Sequence, residues 1–188
     1  MIEAELKARV REPVVVRERL ERMAVGRDEV YRDAYFDTSD ARLERGDREL
    51  RLRTVHGPDG TRTLLTYKEA RVDEVSGSKP EYETNVGEPE AVRAMLGGLG
   101  YVETLAFEKH CRNYEFTAYG RPMLATLVRV PEIDGTYVEV ETQVSGEREL
   151  RDALGSVRAV LDALGVGEGD LTAELYTDAV RARRTGKS

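Results

Sequence analysis

Residues Ile2–Val10 read Ile-Glu-Ala-Glu-Leu-Lys-Ala-Arg-Val, and the fold is decided by how this stretch is read. Apolar and charged side chains alternate without a break, the period-two pattern of a strand with unlike faces. One face carries Glu3, Glu5, Lys7 and Arg9; the other carries Ala4, Leu6 and Ala8. Similar faces recur along the chain. In 48–55, Arg51 and Arg53 oppose Leu50 and Leu52; in 61–69, Lys68 falls beside Thr66. In 79–86, Lys79, Glu81 and Glu83 oppose Tyr82 and Val86, and in 136–144, Glu139 and Glu141 oppose Val138 and Val140. Lys109 falls on the strand before Tyr114, and Arg129 near the end of the strand over 122–130.

The plain reading of such strands is an antiparallel sheet with one solvated face. Three features oppose it. The polar faces are almost wholly ionic. Their signs are segregated, with Glu-x-Glu on the first and last strands and arginines and lysines between. The opposite faces are apolar enough to be covered by helices, which turns the ionic faces inward. A charged interior is costly unless its charges pair or bind something.

Helical patterns fall at 14–23, after Pro13; at 88–98, opened by Glu88-Pro89 and ended by Gly97-Gly98; at 148–164; and at 171–184, with a basic tail from Arg181 to Lys187. Further strands fall at 30–38, with one helical turn after it, and at 101–117, broken near its start. Gly57-Pro58-Asp59-Gly60 marks a hairpin, and 70–78 is a polar loop suited to a flap. About eight short strands joined by hairpins predict an α+β chain built on an eight-stranded antiparallel closed β-barrel with covering helices. No linker or repeat divides it. One domain is expected over 1–188, with barrel strands over about 2–144 and C-terminal helices over about 147–184.

The totals narrow the chemistry. The chain has 188 residues, with 36 acidic side chains against 29 basic ones and a net charge of −7, which opposes binding to nucleic acid or an anionic membrane. One cysteine, Cys111, forbids an internal disulfide and suits a cytoplasmic protein. No apolar run approaches bilayer length, and the charge at Glu3 argues against a signal peptide. Two histidines and one cysteine cannot build a Cys/His zinc site, so a metal here would be a hard cation on carboxylates. Carboxylate pairs two residues apart could hold Mg²⁺ or Mn²⁺, while guanidinium and ammonium groups bind phosphate oxygens.

With these motifs in order, the sequence resembles the CYTH proteins, or triphosphate tunnel metalloenzymes. Glu3-x-Glu5-x-Lys7 looks like their ExExK signature. Tyr35-Phe36-Asp37-Thr38, Leu50-Arg51-Leu52-Arg53, Leu65-Thr66-Tyr67-Lys68, Glu81-Tyr82-Glu83 and the run from Gly135 to Glu141 resemble later blocks, and 171–176 resembles the closing segment, where the family often has a Ser-Tyr pair. The resemblance implies a metal-dependent enzyme acting on a triphosphate inside a tunnel. The wording is nearest the class IV adenylate cyclases, which convert ATP to cyclic AMP and pyrophosphate. A triphosphatase acting on inorganic tripolyphosphate or thiamine triphosphate is the alternative, and a nucleotide- or polyphosphate-binding module without turnover is a third reading. A homodimer is implied only by the family.

Residue by residue, the resemblance implies metal ligands at Glu3, Glu5, Glu139 and Glu141, and catalytic roles for Glu3, Glu5 and Lys7. Phosphate contacts would come from Lys7, Arg51, Arg53, Lys68, Lys79, Lys109, Arg112 and Arg129. Glu81 and Glu83 face the lumen and either bind metal or, the favoured reading, orient arginines, and Asp33 and Asp37 have turn or strand-end roles as readily as chemical ones. The sequence departs from the pattern twice. In Lys109-His110-Cys111-Arg112, Cys111 stands where an arginine is expected, so either a bulge brings Arg112 inward or that contact is lost. The strand at 124–130 lacks the family's acid and offers Arg129 as a possible extra cation.

Overall fold

The computed structural model describes residues 1–74 and 76–186. Val75, within the 70–78 loop, and Lys187, in the basic tail, lie outside the described residues. The strands are β1 (Ile2–Val10), β2 (Arg27–Thr38), β3 (Glu49–Gly57), β4 (Gly60–Lys68), β5 (Lys79–Val86), β6 (Tyr101–Ala118), β7 (Arg121–Arg129) and β8 (Thr136–Val144). They close an antiparallel barrel in the order β1-β5-β4-β3-β2-β6-β7-β8, the architecture expected from the alternating faces. The helices are α1 (Pro13–Glu21), α2 (Arg42–Arg45), α3 (Pro89–Gly98), α4 (Glu147–Ala163) and α5 (Tyr176–Arg184), with a 3₁₀ turn at Glu168–Asp170.

Helices cover the apolar outer faces, as the pattern required. Val16 and Leu20 of α1 and Val157, Val160 and Leu161 of α4 pack with Ala8, Val10, Ala125, Val138 and Val140 of β1, β7 and β8. Leu96 of α3 packs on Ala34, Phe36 and Leu52 of β2 and β3. Burial of this surface, at roughly 25 cal/mol per Å², holds the helices to the wall. It also fixes the register, because a one-residue slip would carry Glu3, Glu5 and Lys7 into the helix interface.

Two irregularities shape the interior. The β2/β6 register shifts between Tyr35 and Phe36, where Leu105 and Glu103 are the successive partners and Thr104 is the extra residue. Leu105 therefore packs with Tyr35, while Glu103 turns outward to the Arg93 side chain on α3. This bulge is the break expected near the start of the long strand, and β6 runs through it.

The second irregularity is the seam. β1 pairs with β8 along its whole length but with β5 only at Ile2 and Glu3. The edge this leaves on β1 is met from the C-terminal side: Leu171 bridges Ala8, and the Thr172 N–H donates to the Lys7 carbonyl at 2.9 Å. Residues 171–175 are consequently a strap along β1, and the helix expected over 171–184 begins only at Tyr176. A strand edge with unpaired carbonyls captured the backbone that the apolar periodicity assigned to a helix.

Candidate functional site

Inside the barrel, Lys7, Glu3, Glu5, Arg51, Arg53, Lys68, Lys109, Glu139 and Glu141 line one cavity of about 130 Å³, joined by Tyr35, Glu49 and residues 175–177. The strands deliver them by parity: β1 and β8 supply four acids and, at Lys7, one cation, while β3, β4 and β6 supply the other four cations and, at Glu49, one acid. The structure brings together every sequence-derived metal residue and five of the eight phosphate residues.

The acids concentrate where β1 meets β8. Glu5 and Glu141 are direct cross-strand partners, and carboxylate oxygens of Glu3, Glu5 and Glu141 all lie within 4.8 Å of one another. Two acids facing each other across a strand pair repel unless a proton or a cation lies between them. Burial, then the neighbouring Glu139 and Glu3, push the Glu5 carboxyl up to about 8. Burial and the Glu3 and Glu5 carboxylates likewise raise Glu141 well above the usual range. Glu3 moves the other way: burial opposes its charge, but Lys68 beside it holds the carboxyl below its ordinary value. Lys68 bridges Glu3 and, at 2.9 Å, Glu81. Glu139 pairs with Lys7 in register, one step further along the tunnel.

A hard divalent cation fits this corner. Three converging carboxylates supply oxygen ligands, and the protons that burial and mutual repulsion hold there are what a cation displaces.

The cations are held in different ways. Arg51 is 8% exposed, donates to Thr66 Oγ1 at 3.4 Å, and has a buried Nε with no acceptor among the described residues. A buried unsatisfied guanidinium nitrogen costs stability and suits an incoming anion. Arg53 forms a two-pronged pair with Asp33 at 2.6 and 2.7 Å, and Lys109 lies 3.7 Å from the same carboxylate. Burial alone would raise the Asp33 carboxyl, but Arg53 and then Lys109 hold it far below the usual carboxylate range. Asp33 is thus the anchor of two candidate phosphate ligands. Its signal in the sequence was its face, shared with Tyr31 and Tyr35 and opposite Ala34 and Phe36. Asp37 has the turn role: it accepts from the N–H groups of Thr38, Leu43 and Glu44 and so caps α2. Glu81 serves Lys68 and Glu83 accepts from Thr66, so neither contacts an arginine directly.

Three expected phosphate residues lie elsewhere. Arg112 points out of the barrel, paired with Asp28 at 2.6 Å and Glu21 at 3.2 Å. No bulge occurs at this point of β6, so parity keeps Arg112 outside and Cys111 inside. Arg129 is exposed, between Val128 and Val130, which face inward. Lys79 donates to the Asp47 carbonyl and carboxylate at 2.6 and 2.9 Å, lining the adjoining cavity, which shares Tyr35, Glu49, Leu175 and Thr177 with the tunnel.

The two departures from the motif share one cause. The inward faces of β6 and β7 carry Phe107, Cys111 and Val128, which pack with Tyr35, Tyr137 and, from α5, Tyr176 and Val180. Around these residues the interior is therefore apolar and packed against the C-terminal helix. Cys111 is 4% exposed, and burial pushes its thiol up to about 12, so it is a packing residue here.

The profile of the CYTH domain matches residues 1–176. The chain belongs to the CYTH family. A Methanocaldococcus jannaschii protein named as a putative adenylate cyclase is 23% identical over 180 residues, covering 95% of this chain and 98% of that one. A solved Pyrococcus horikoshii structure superposes with a TM-score of 0.82 at 24% identity, covering 97% of this chain and 99% of the other. A Hippeastrum protein described as a putative adenylyl cyclase with a dominant triphosphatase activity superposes with a TM-score of 0.66 at 16% identity, covering 100% and 97%. The CYTH barrel thus accounts for the strand order and the inward charges. Among the described residues, no helix is long and apolar enough to cross a membrane.

Proposed function

We propose that this CYTH protein is a divalent-metal-dependent triphosphatase that hydrolyses a triphosphate drawn lengthwise into the tunnel. The observation that carries the reading is the make-up of the lumen, in which a Glu3/Glu5/Glu141 corner shares one cavity with Arg51, Arg53, Lys68, Lys109 and Lys7. Mg²⁺ or Mn²⁺ on that corner, with Glu139 beside it, would supply the charge neutralisation and the polarisation of water or phosphate oxygen that phosphoryl transfer needs. Arg51 offers its unpaired Nε to a phosphate oxygen. Arg53 and Lys109, fixed by Asp33, and Lys7, on the β1 side, hold further oxygens in line. The carboxylates left free of the metal accept the proton from the attacking water.

Hydrolysis is placed ahead of cyclisation because of the adjoining cavity. Lys79, Asp47, Glu44 and Arg181 surround it with charged groups, which suit the phosphate end of a substrate better than a purine base. The dominant triphosphatase activity of the Hippeastrum protein supports the same choice. Cyclisation of ATP is the second reading. It is favoured by the continuity of that cavity with the tunnel through Tyr35, Glu49, Leu175 and Thr177.

The test is a substrate panel of tripolyphosphate, thiamine triphosphate and ATP with Mg²⁺ or Mn²⁺. Orthophosphate release supports the proposal. Cyclic AMP with pyrophosphate, or metal-dependent binding of all three without product, would overturn it in favour of a cyclase or of a binding module.

A further inference from the structure

The strap along β1 ends by placing one side chain in the lumen. Tyr176 is the first residue of α5, is 8% exposed and lines the tunnel cavity. Its position is determined from three sides. Thr172 and Leu171 bond to β1 just before it, the Lys7 ammonium bonds the Glu174 carbonyl, and its ring packs edge-on against Tyr137 at 5.3 Å.

Two tunnel cations converge on this ring. Lys7 Nζ, from β1, lies 4.3 Å from its centroid, and Lys109 Nζ, from β6, lies 5.0 Å away. Two ammonium groups repel each other, and the electron-rich ring face offsets part of that repulsion while the lumen holds no anion. The hydroxyl at the end of the same ring is buried and has no hydrogen-bond partner among the described residues. Burial, and then the Glu139 carboxylate beside it, hold this phenol protonated, well above its ordinary value, so it stays a donor. Buried hydroxyls without a partner are uncommon and cost about 1–3 kcal/mol, so one facing a polar cavity between two lysines asks for an acceptor.

We propose that Tyr176 is a substrate-contacting residue, whose hydroxyl donates to a phosphate oxygen held between Lys7 and Lys109. The contact belongs to the end of the tunnel nearest the strap, and it rests on the triphosphate reading given above. Hydroxyl and ammonium groups together form a donor set for a doubly or triply charged phosphate oxygen cluster, and none of the three carries a proton that must be lost first. The apolar packing of the ring against Tyr137 and Val180 holds the hydroxyl at this spot when the lumen is empty.

The variant Y176F separates the hydroxyl from the ring, because the phenyl group keeps the contacts to Tyr137, Lys7 and Lys109. Isothermal titration of full-length protein with tripolyphosphate, with and without Mg²⁺, is the measurement, and thermal denaturation reports folding. Binding is expected to weaken roughly tenfold to hundredfold in Y176F, at a melting temperature equal to or a few degrees above wild type because the unsatisfied hydroxyl is gone. A second variant, Y176L, removes the ring face as well; it should bind more weakly still and also melt lower. Y176F binding as tightly as wild type would overturn the inference while leaving the tunnel reading in place. Wild-type protein that binds no tripolyphosphate under either condition would overturn both.

Discussion

The Asp33→Asn substitution tests whether the tunnel cations are held by a resident carboxylate. Asp33 is fully buried, and it binds a 13% exposed Arg53 through two contacts of 2.6 and 2.7 Å with a 6% exposed Lys109 at 3.7 Å. Asparagine keeps the volume and one acceptor but removes the charge, leaving two buried cations facing each other. Breaking one side of a buried ion pair costs about 3–5 kcal/mol. For a chain of this size, each kcal/mol lowers the melting temperature by about 2–4 °C, so D33N is expected to melt roughly 6–20 °C below wild type. The depressed Asp33 carboxyl also fixes the sign of the acid response. Its stabilising contribution is present above the unfolded value near pH 4 and is lost as pH falls towards the native value, so D33N should lose less stability on acidification than wild type. The assay is thermal denaturation followed by circular dichroism at pH 7 and pH 3.5, with and without tripolyphosphate. A polyanion should recover more stability in D33N than in wild type, because it supplies the missing charge, and at a hundred times its dissociation constant a ligand adds about 2.7 kcal/mol. D33N within about 1 kcal/mol of wild type, or no greater response to tripolyphosphate, would refute the reasoning.

Further expectations separate the corner from the wall. E5Q should raise the melting temperature of metal-free protein, because it removes one of two facing carboxylates, and should abolish Mg²⁺- or Mn²⁺-dependent turnover; a lower melting temperature would contradict the repulsion. R112A and R129A should bind tripolyphosphate within about twofold of wild type, whereas R51A should lose at least roughly tenfold, as titration calorimetry would report. Cys111 should react with a thiol reagent at least about a hundredfold more slowly in native than in urea-unfolded protein, since burial keeps it protonated; rapid native labelling would place it on an accessible surface.

Much of the site was legible because strand parity is a strict code. Once Ala4, Leu6, Val138 and Val140 face helices, Glu3, Glu5, Glu139 and Glu141 have no direction but inward. The same code placed His110 outside, where it meets Glu108 at 2.8 Å. It also carries Arg112 outward unless a bulge intervenes, and a bulge cannot be located from residue types alone; the one in β6 lies at Thr104, several residues away. Lys79 has inward parity, yet Asp47 takes its ammonium group, a partner that comes from a loop distant in sequence. Asp33 read equally well as a turn residue because its partners, Arg53 and Lys109, lie on two other strands.

The sequence by itself determined the barrel, the inward direction of the charged faces and the strands that carry each sign, since all three follow from a two-residue period and the need to bury the opposite faces. Only the tertiary structure decided which of those charges meet. It placed Glu5 against Glu141, gave Arg53 and Lys109 to Asp33, and packed an apolar cluster around Tyr176. Those pairings depend on how far the strands are staggered around the closed barrel and on the edge of β1 left open to the strap. Both are properties of the closed sheet, with no counterpart in any single segment of the chain.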